Sequence, residues 1–221
     1  MKTNPQRLNP DTKERMQWWH DAKLGMFIHW GCYSVLNRGE QIMMRDQMPL
    51  AEYDQLAAQF HPAPGWADEV TDQAVRMGAK YVVLTTRHHD GYCLFKTRTH
   101  SFNAVETGPG RDLVAEYVEA TRRRGLRVGL YYSVINWRWH GHHDPFAHAH
   151  ELPLIVEEMH TQVDELRRIN LSGPGLPGWT ANSARRRPGG AHPRTTVTSE
   201  GAGSRNFYDK QEPLADVHST R

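Results

Sequence analysis

Two adjacent histidines and an aspartate, His88, His89 and Asp90, stand where the apolar run KYVVL gives out, in the stretch TTRHHDG at 85–91. An imidazole can donate or accept a hydrogen bond at its ring nitrogens, and a carboxylate accepts several. Such a cluster can grip hydroxyl groups, move protons or ligate a metal. Neighbouring side chains on a strand point to opposite faces, so packing alone is a poor account of the pair. Two other apolar runs end in the same manner: FIHWG stops at His29, and RVGLYYS stops at Tyr131 and Tyr132. Glu40 follows in the loop after the first run, in a GE step. One histidine after a strand is usually a structural group with its hydrogen bonds satisfied. Three strand ends with the same habit point to a site.

Trp30, Tyr33, Tyr92 and Trp137 lie close to these residues in the chain. Polar groups that fix hydroxyls beside aromatic rings that cover an apolar ring face suit a sugar. Metal binding is the rival chemistry for His88, His89 and Asp90, although no HxH or HExxH spacing occurs at these strand ends. The run WHGHHDPFAHAHE carries His140, His142, His143, His148 and His150. It reads as a solvated loop that could pick up metal adventitiously. GPGR at 108–111 reads as a turn and helix cap, because it lacks a full phosphate-loop pattern. The RRR runs at 122–124 and 185–187 read as solvated charge. Neither Cys32 nor Cys93 has a base placed for thiolate chemistry.

These residues need a frame. The segments 25–30, 80–86 and 127–133 are short, nearly continuous apolar runs, the pattern of parallel strands covered on both faces. Between them lie helical patterns at 49–60, 66–80 and 111–125, and a fourth at 151–168. Gly78 and Gly125 suit the position just past a helix. The alternation is α/β, a barrel or a doubly wound sheet. In a barrel the strand C-terminal ends form the active-site rim. A complete (β/α)₈ barrel takes about 250 residues, and this chain has 221 with three or four units. The expectation is an incomplete, N-terminal portion of a TIM barrel over 15–170, with an extension at 1–14. From Leu171 to Arg221 Gly, Pro, Ser, Thr and Arg dominate, a composition expected to be disordered.

A formal net charge of +2 is too small to suggest nucleic-acid binding by itself. The two isolated cysteines suit a reducing compartment. No secretory signal is seen at the start and no run approaches a membrane span, so the expected location is cytoplasmic.

The motifs LGMFIHWGCYSV, GE, AEYDQLAAQFHP, GAKYVVLTTRHHDGYCLF and RDLVAEYVEATRRRGLRVGLYYSVINW, in that order over about 15–168, closely resemble the α-L-fucosidases of glycoside hydrolase family 29. The resemblance implies a (β/α)₈-like barrel followed by a β-sandwich. It also implies retaining hydrolysis of terminal α-L-fucose through a covalent fucosyl-enzyme, a fucosylated glycan or fucoside as partner, and no cofactor or metal. It assigns fucose binding to His29, His88 and His89, sugar binding to Glu40 and a pocket position to Tyr131. Where the family often has an aromatic pair after the glutamate, this chain has Gln41-Ile42.

Retaining hydrolysis uses a carboxylate nucleophile and a second carboxyl about 5–5.5 Å apart. The resemblance puts the nucleophile in a Trp-x-Asp motif near 171–182, where the chain reads LSGPGLPGWTAN. Pro177-Gly178-Trp179-Thr180-Ala181 is encoded by CCN GGN TGG ACN GCN. Displaced by two bases, the same DNA reads NGG NTG GAC NGC. That permits Trp-(Leu/Met)-Asp-Gly, with the Asp codon forced. The expectation is a frameshift near codons 168–172, leaving the catalytic nucleophile and acid/base absent and the chain inactive as written. Two alternatives stand beside it: a non-catalytic fucose-binding fragment and a metal-dependent barrel hydrolase.

Overall fold

A computed structural model describes residues 10–171. The expected out-of-frame tail, its RRR run at 185–187 and the Trp-x-Asp position lie outside the described residues, as do residues 1–9. The order of elements is α1 (Pro10–Ala22), β1 (Gly25–Ile28), α2 (Ile42–Arg45), α3 (Leu50–Gln59), α4 (Trp66–Arg76), β2 (Tyr81–Arg87), α5 (Leu113–Arg123), β3 (Arg127–Tyr132) and α6 (Leu152–Leu171). The three strands form one parallel sheet in the order β1-β2-β3, with Gly25 opposite Tyr81 and Tyr81 opposite Arg127. The chain is therefore α/β with right-sized crossovers between parallel neighbours, as the alternating pattern predicted. No helix among the described residues is long and apolar enough to cross a membrane.

Paired residues in a sheet share a face, so the register sorts the strands. Met26, Val82, Val128, Ile28, Leu84 and Leu130 fall on one face, and Val82 and Leu84 are fully buried among Tyr53, Leu56, Ala74, Leu113 and Tyr117. Phe27, Val83, Gly129 and Tyr131 fall on the other. That second face corrects the expectation of a doubly covered sheet: Phe27 is 49% exposed, and Val83, Gly129 and Tyr131 are only partly buried. Continuous apolar runs predicted burial on both sides, but among the described residues the helices supply a layer for one.

The helices are held by polar contacts as well as by apolar burial. The Tyr117 hydroxyl donates to the Val82 carbonyl at 2.6 Å and lies 3.2 Å from that of Gly129, tying α5 to two strands. Asp112 caps α5 by accepting from the Ala115 N–H at 2.9 Å, so the cap is Asp112 and GPGR supplies only the turn before it. The 122–124 run does more than meet solvent. Arg123 and Arg124 pair with Asp68, and Arg124 with Asp72, both on α4, while Arg122 reaches Asn170 on α6. At the end of β2, Arg87 is 2% exposed and pairs with the equally buried Glu158 of α6 at 3.1 Å. Gln162 of α6 accepts from Arg87 at 3.1 Å and from the Tyr132 hydroxyl at 2.8 Å. The long loop after β2 is packed rather than loose: Tyr92, Leu94, Phe95, Phe102 and Ala104 are buried. Helix α1 sits at the opposite end of the sheet, where Trp18 meets Tyr81 edge-on at 5.9 Å and Arg127 stacks over it at 4.4 Å.

Candidate functional site

Four of the five predicted residues converge at the C-terminal end of the sheet, on its open face. His29 follows β1 and stacks on Phe27, with ring centroids 4.8 Å apart. His29 lies 5.6 Å from His88 and 6.1 Å from Tyr131. His88 and His89 are 4.5 Å apart, and both meet Trp137, at 6.2 and 4.9 Å. Tyr33 approaches His88 at 5.7 Å. Adjacent histidines reach one pocket because strand alternation has ended. The register between β2 and β3 slips between Thr85 and Arg87, and the chain turns away after Arg87.

The next two residues make that turn. The Gly91 N–H donates to the His88 carbonyl at 3.2 Å, and Gly91 has φ +83°. A Cβ at Gly91 would lie 2.8 Å from both Arg138 Cδ and Asn136 Oδ1, so both conformation and space require glycine. Asp90 is buried beneath the pocket. It accepts from the Tyr53 hydroxyl at 2.7 Å, the Cys32 thiol at 3.4 Å and the Tyr92 N–H at 3.3 Å. Burial raises its pKa against those three bonds. Asp90 is thus an anchor for the turn and not a ligand in the pocket.

His88 is 5% exposed, and its buried Nδ1 has no hydrogen-bond partner among the described residues. Loss of hydration, then the charges of His89 and His29, push its pKa down from 6.5 to about 4, with Glu40 opposing. His88 is a neutral imidazole near pH 7, with one nitrogen that donates and one that accepts. His89 Nδ1 is held by a short contact with the Ser133 hydroxyl and lies 3.4 Å from the Ile135 carbonyl. Glu40 is half-buried and acts on His88 and Tyr33 through its charge. These are fixed polar groups at the rim of an aromatic wall, an arrangement for hydroxyls.

Not every aromatic joins it. Trp30 turns to Phe60 and Trp66, at 4.9 and 4.3 Å, and Tyr92 is buried with its hydroxyl on the Thr107 carbonyl at 2.7 Å. Both belong to the core. Ile42 is fully buried, so the Gln41-Ile42 departure leaves an apolar core contact and an exposed Gln41. Sequence reasoning missed Phe27 and Ser133. Phe27 was recoverable, because it stands on β1 two residues before His29. Cys32 and Cys93 are buried, free and raised in pKa by that burial, as inert thiols are. Among the described residues, one His/Cys/Asp/Glu cluster is close enough to share a metal ion, His140, His148 and Glu151, and it lies in the loop before α6.

Residues 2–167 match the family model described as alpha-L-fucosidase. The human tissue alpha-L-fucosidase is 37% identical over 159 residues, which is 60% of this chain and 33% of that protein. The chain thus spans about a third of the length of the curated relatives it matches. Alpha-L-fucosidase isoenzyme 1 from Paenibacillus thiaminolyticus is 36% identical, with TM-score 0.63 over 70% of this chain and 40% of that one. A Bacteroides thetaiotaomicron alpha-L-fucosidase, solved as a covalent intermediate trapped with 2-fluoro-fucosyl fluoride, is 27% identical, with TM-score 0.66 over 77% and 41%. One from Lactobacillus casei, solved with its alpha-L-fucose product, is 38% identical, with TM-score 0.53 over 56% and 42%. With the family model matching most of its length, the chain belongs to the alpha-L-fucosidase family.

Proposed function

We propose that this chain is the N-terminal part of a retaining alpha-L-fucosidase barrel. In this reading it carries the fucose-binding rim, and the nucleophile and acid/base are absent from the chain as written. The observation that carries the rim is the convergence of His29, His88, His89 and Tyr131 at the strand ends, beside Phe27 and Trp137. His88, a neutral imidazole near pH 7, would offer its Nε2 to one sugar hydroxyl. His29 and His89 would take neighbouring hydroxyls, Glu40 would accept from another, and Phe27, Tyr131 and Trp137 would cover the apolar side of the ring. These residues bind and orient; the bond-breaking groups lie on later strands of the barrel. A two-base displacement near codons 168–172 accounts for the Trp-x-Asp motif falling out of frame at Trp179.

The test has two parts. Resequencing the DNA over codons 160–185 either restores Trp-x-Asp-Gly in an open frame or leaves the text as it stands. The chain as written and the frame-restored protein are then assayed on an aryl α-L-fucoside, and each is melted with and without L-fucose. Expected are cleavage by the restored protein alone and a fucose-dependent rise in melting temperature for both. Hydrolysis by the chain as written would sink the missing-nucleophile reading. A melt indifferent to fucose in both proteins would sink the binding assignment.

A further inference from the structure

We propose that the loop joining β3 to α6 binds one zinc-class divalent cation through His140, His148 and Glu151, separately from the sugar pocket. The three donors come together because of how the loop folds. The segment Ala149–Glu151 is a single 3₁₀ turn, with His148 at its N-cap and the Glu151 N–H donating to the His148 carbonyl at 3.0 Å. Residues three apart eclipse on a 3₁₀ turn, so the His148 imidazole and the Glu151 carboxylate emerge on the same side. His140 begins another 3₁₀ turn, His140–His142, packed against the first. One nitrogen of each histidine and one carboxylate oxygen lie within 4.8 Å of one another, and the two imidazoles stack at 5.0 Å with 24° between their planes.

Two imidazole nitrogens and a carboxylate oxygen form a donor set suited to zinc, with ligand bonds of about 2.0–2.2 Å and room for water in the fourth position. A tetrahedral ion needs its donors about 3.4 Å apart, so the cluster has to contract by roughly an ångström. His140 and His148 are only partly buried and can swing, whereas Glu151 is held. Its Oε2 accepts from the Gly141 N–H at 2.7 Å, and Oε1 meets His140 Nδ1 at 3.2 Å. On binding, the cation takes the place of the proton shared by His140 and Glu151, while Gly141 keeps the carboxylate oriented, the outer support that metal ligands ordinarily have. Glu151 is 6% exposed, which a solvated histidine-rich loop does not explain. His143 ties the loop back to the pocket wall through the Trp137 carbonyl at 2.9 Å.

The experiment is a zinc titration of the full, untagged chain by calorimetry, with His148→Ala, Glu151→Gln and His150→Ala in parallel and circular dichroism confirming that each is folded. His150 is exposed, next to the trio and outside it, so it controls for adventitious binding. Expected is about one Zn²⁺ per chain, weakened about tenfold or more by His148→Ala and by Glu151→Gln, and unchanged by His150→Ala. Zinc should also slow amide exchange at 140–151. The proposal is overturned if the parent takes up no zinc, if His148→Ala and Glu151→Gln retain parental affinity, or if His150→Ala loses as much as they do.

Discussion

Replacing His88 by Gln removes a group whose protonation is opposed by the folded state. In the fold its pKa is lowered to about 4 from 6.5, because burial strips its hydration and His89 and His29 face it with like charge. Between those two values the unfolded chain binds the proton and the folded chain does not. Stability from this group is therefore complete above about pH 6.5, falls as the pH drops through the window, and is fully lost below about pH 4. Each pH unit of that interval is worth about 1.4 kcal/mol, so the loss amounts to about 3 kcal/mol, a figure that already contains the opposing pull of Glu40. Urea unfolding of parent and His88→Gln between about pH 7 and pH 4 measures it. The parent should lose about 3 kcal/mol relative to the variant across the window. A difference that stays constant with pH, or an NMR titration that places His88 near 6.5, would refute the argument.

Gly91→Ala should destabilise the chain by about 2–5 kcal/mol, combining about 1–2 for a left-handed alanine with about 1–3 for displacing packed neighbours. Gly65→Ala, at φ +80° with none of the described residues within 4 Å of its Cβ, should cost only the first part; equal losses in thermal melts would remove the packing argument. Tyr117→Phe should cost about 1–2 kcal/mol, since it deletes the hydroxyl that joins α5 to two strand carbonyls. An unchanged melting temperature would contradict that role.

The strands were legible because nearly unbroken β-branched and aromatic runs have few other readings, and Gly78 and Gly125 marked the ends of α4 and α5, at φ +80° and +69°. Helix α1 was not legible. PDTKERMQWWHDA carries no apolar stripe, and the helix is secured by Trp18 against Tyr81 and Arg127, a contact between segments far apart in the chain. The histidines of the site were legible because two in succession at a strand end resist a packing account. Proximity in sequence misassigned Trp30 and Tyr92, because a residue next to a pocket residue can point into the core. Ser133 and Asp112 show the same limit from the other side: hydrogen-bonding partners are chosen by geometry that residue type does not encode. Arg123 and Arg124 looked solvated because Asp68 and Asp72 sit on α4, and Arg122 because Asn170 sits on α6, outside the local pattern.

The Arg87–Glu158 pair also bears on the order in which the chain can settle during its synthesis. Arg87 closes the central strand, yet Glu158, a carboxylate with which it pairs, belongs to the last described helix. A ribosome delivers β2, the packed loop behind it, α5 and β3 before that carboxylate exists. Until α6 arrives, the Arg87 guanidinium lacks its ion pair with Glu158 and its contact with Gln162, and burying it costs more. The sheet is therefore expected to form from its N-terminal end, with the strand ends that bear His88 and Tyr131 fixed last. The rim that bears His88 and Tyr131 would mature after the scaffold beneath it, at the moment α6 docks.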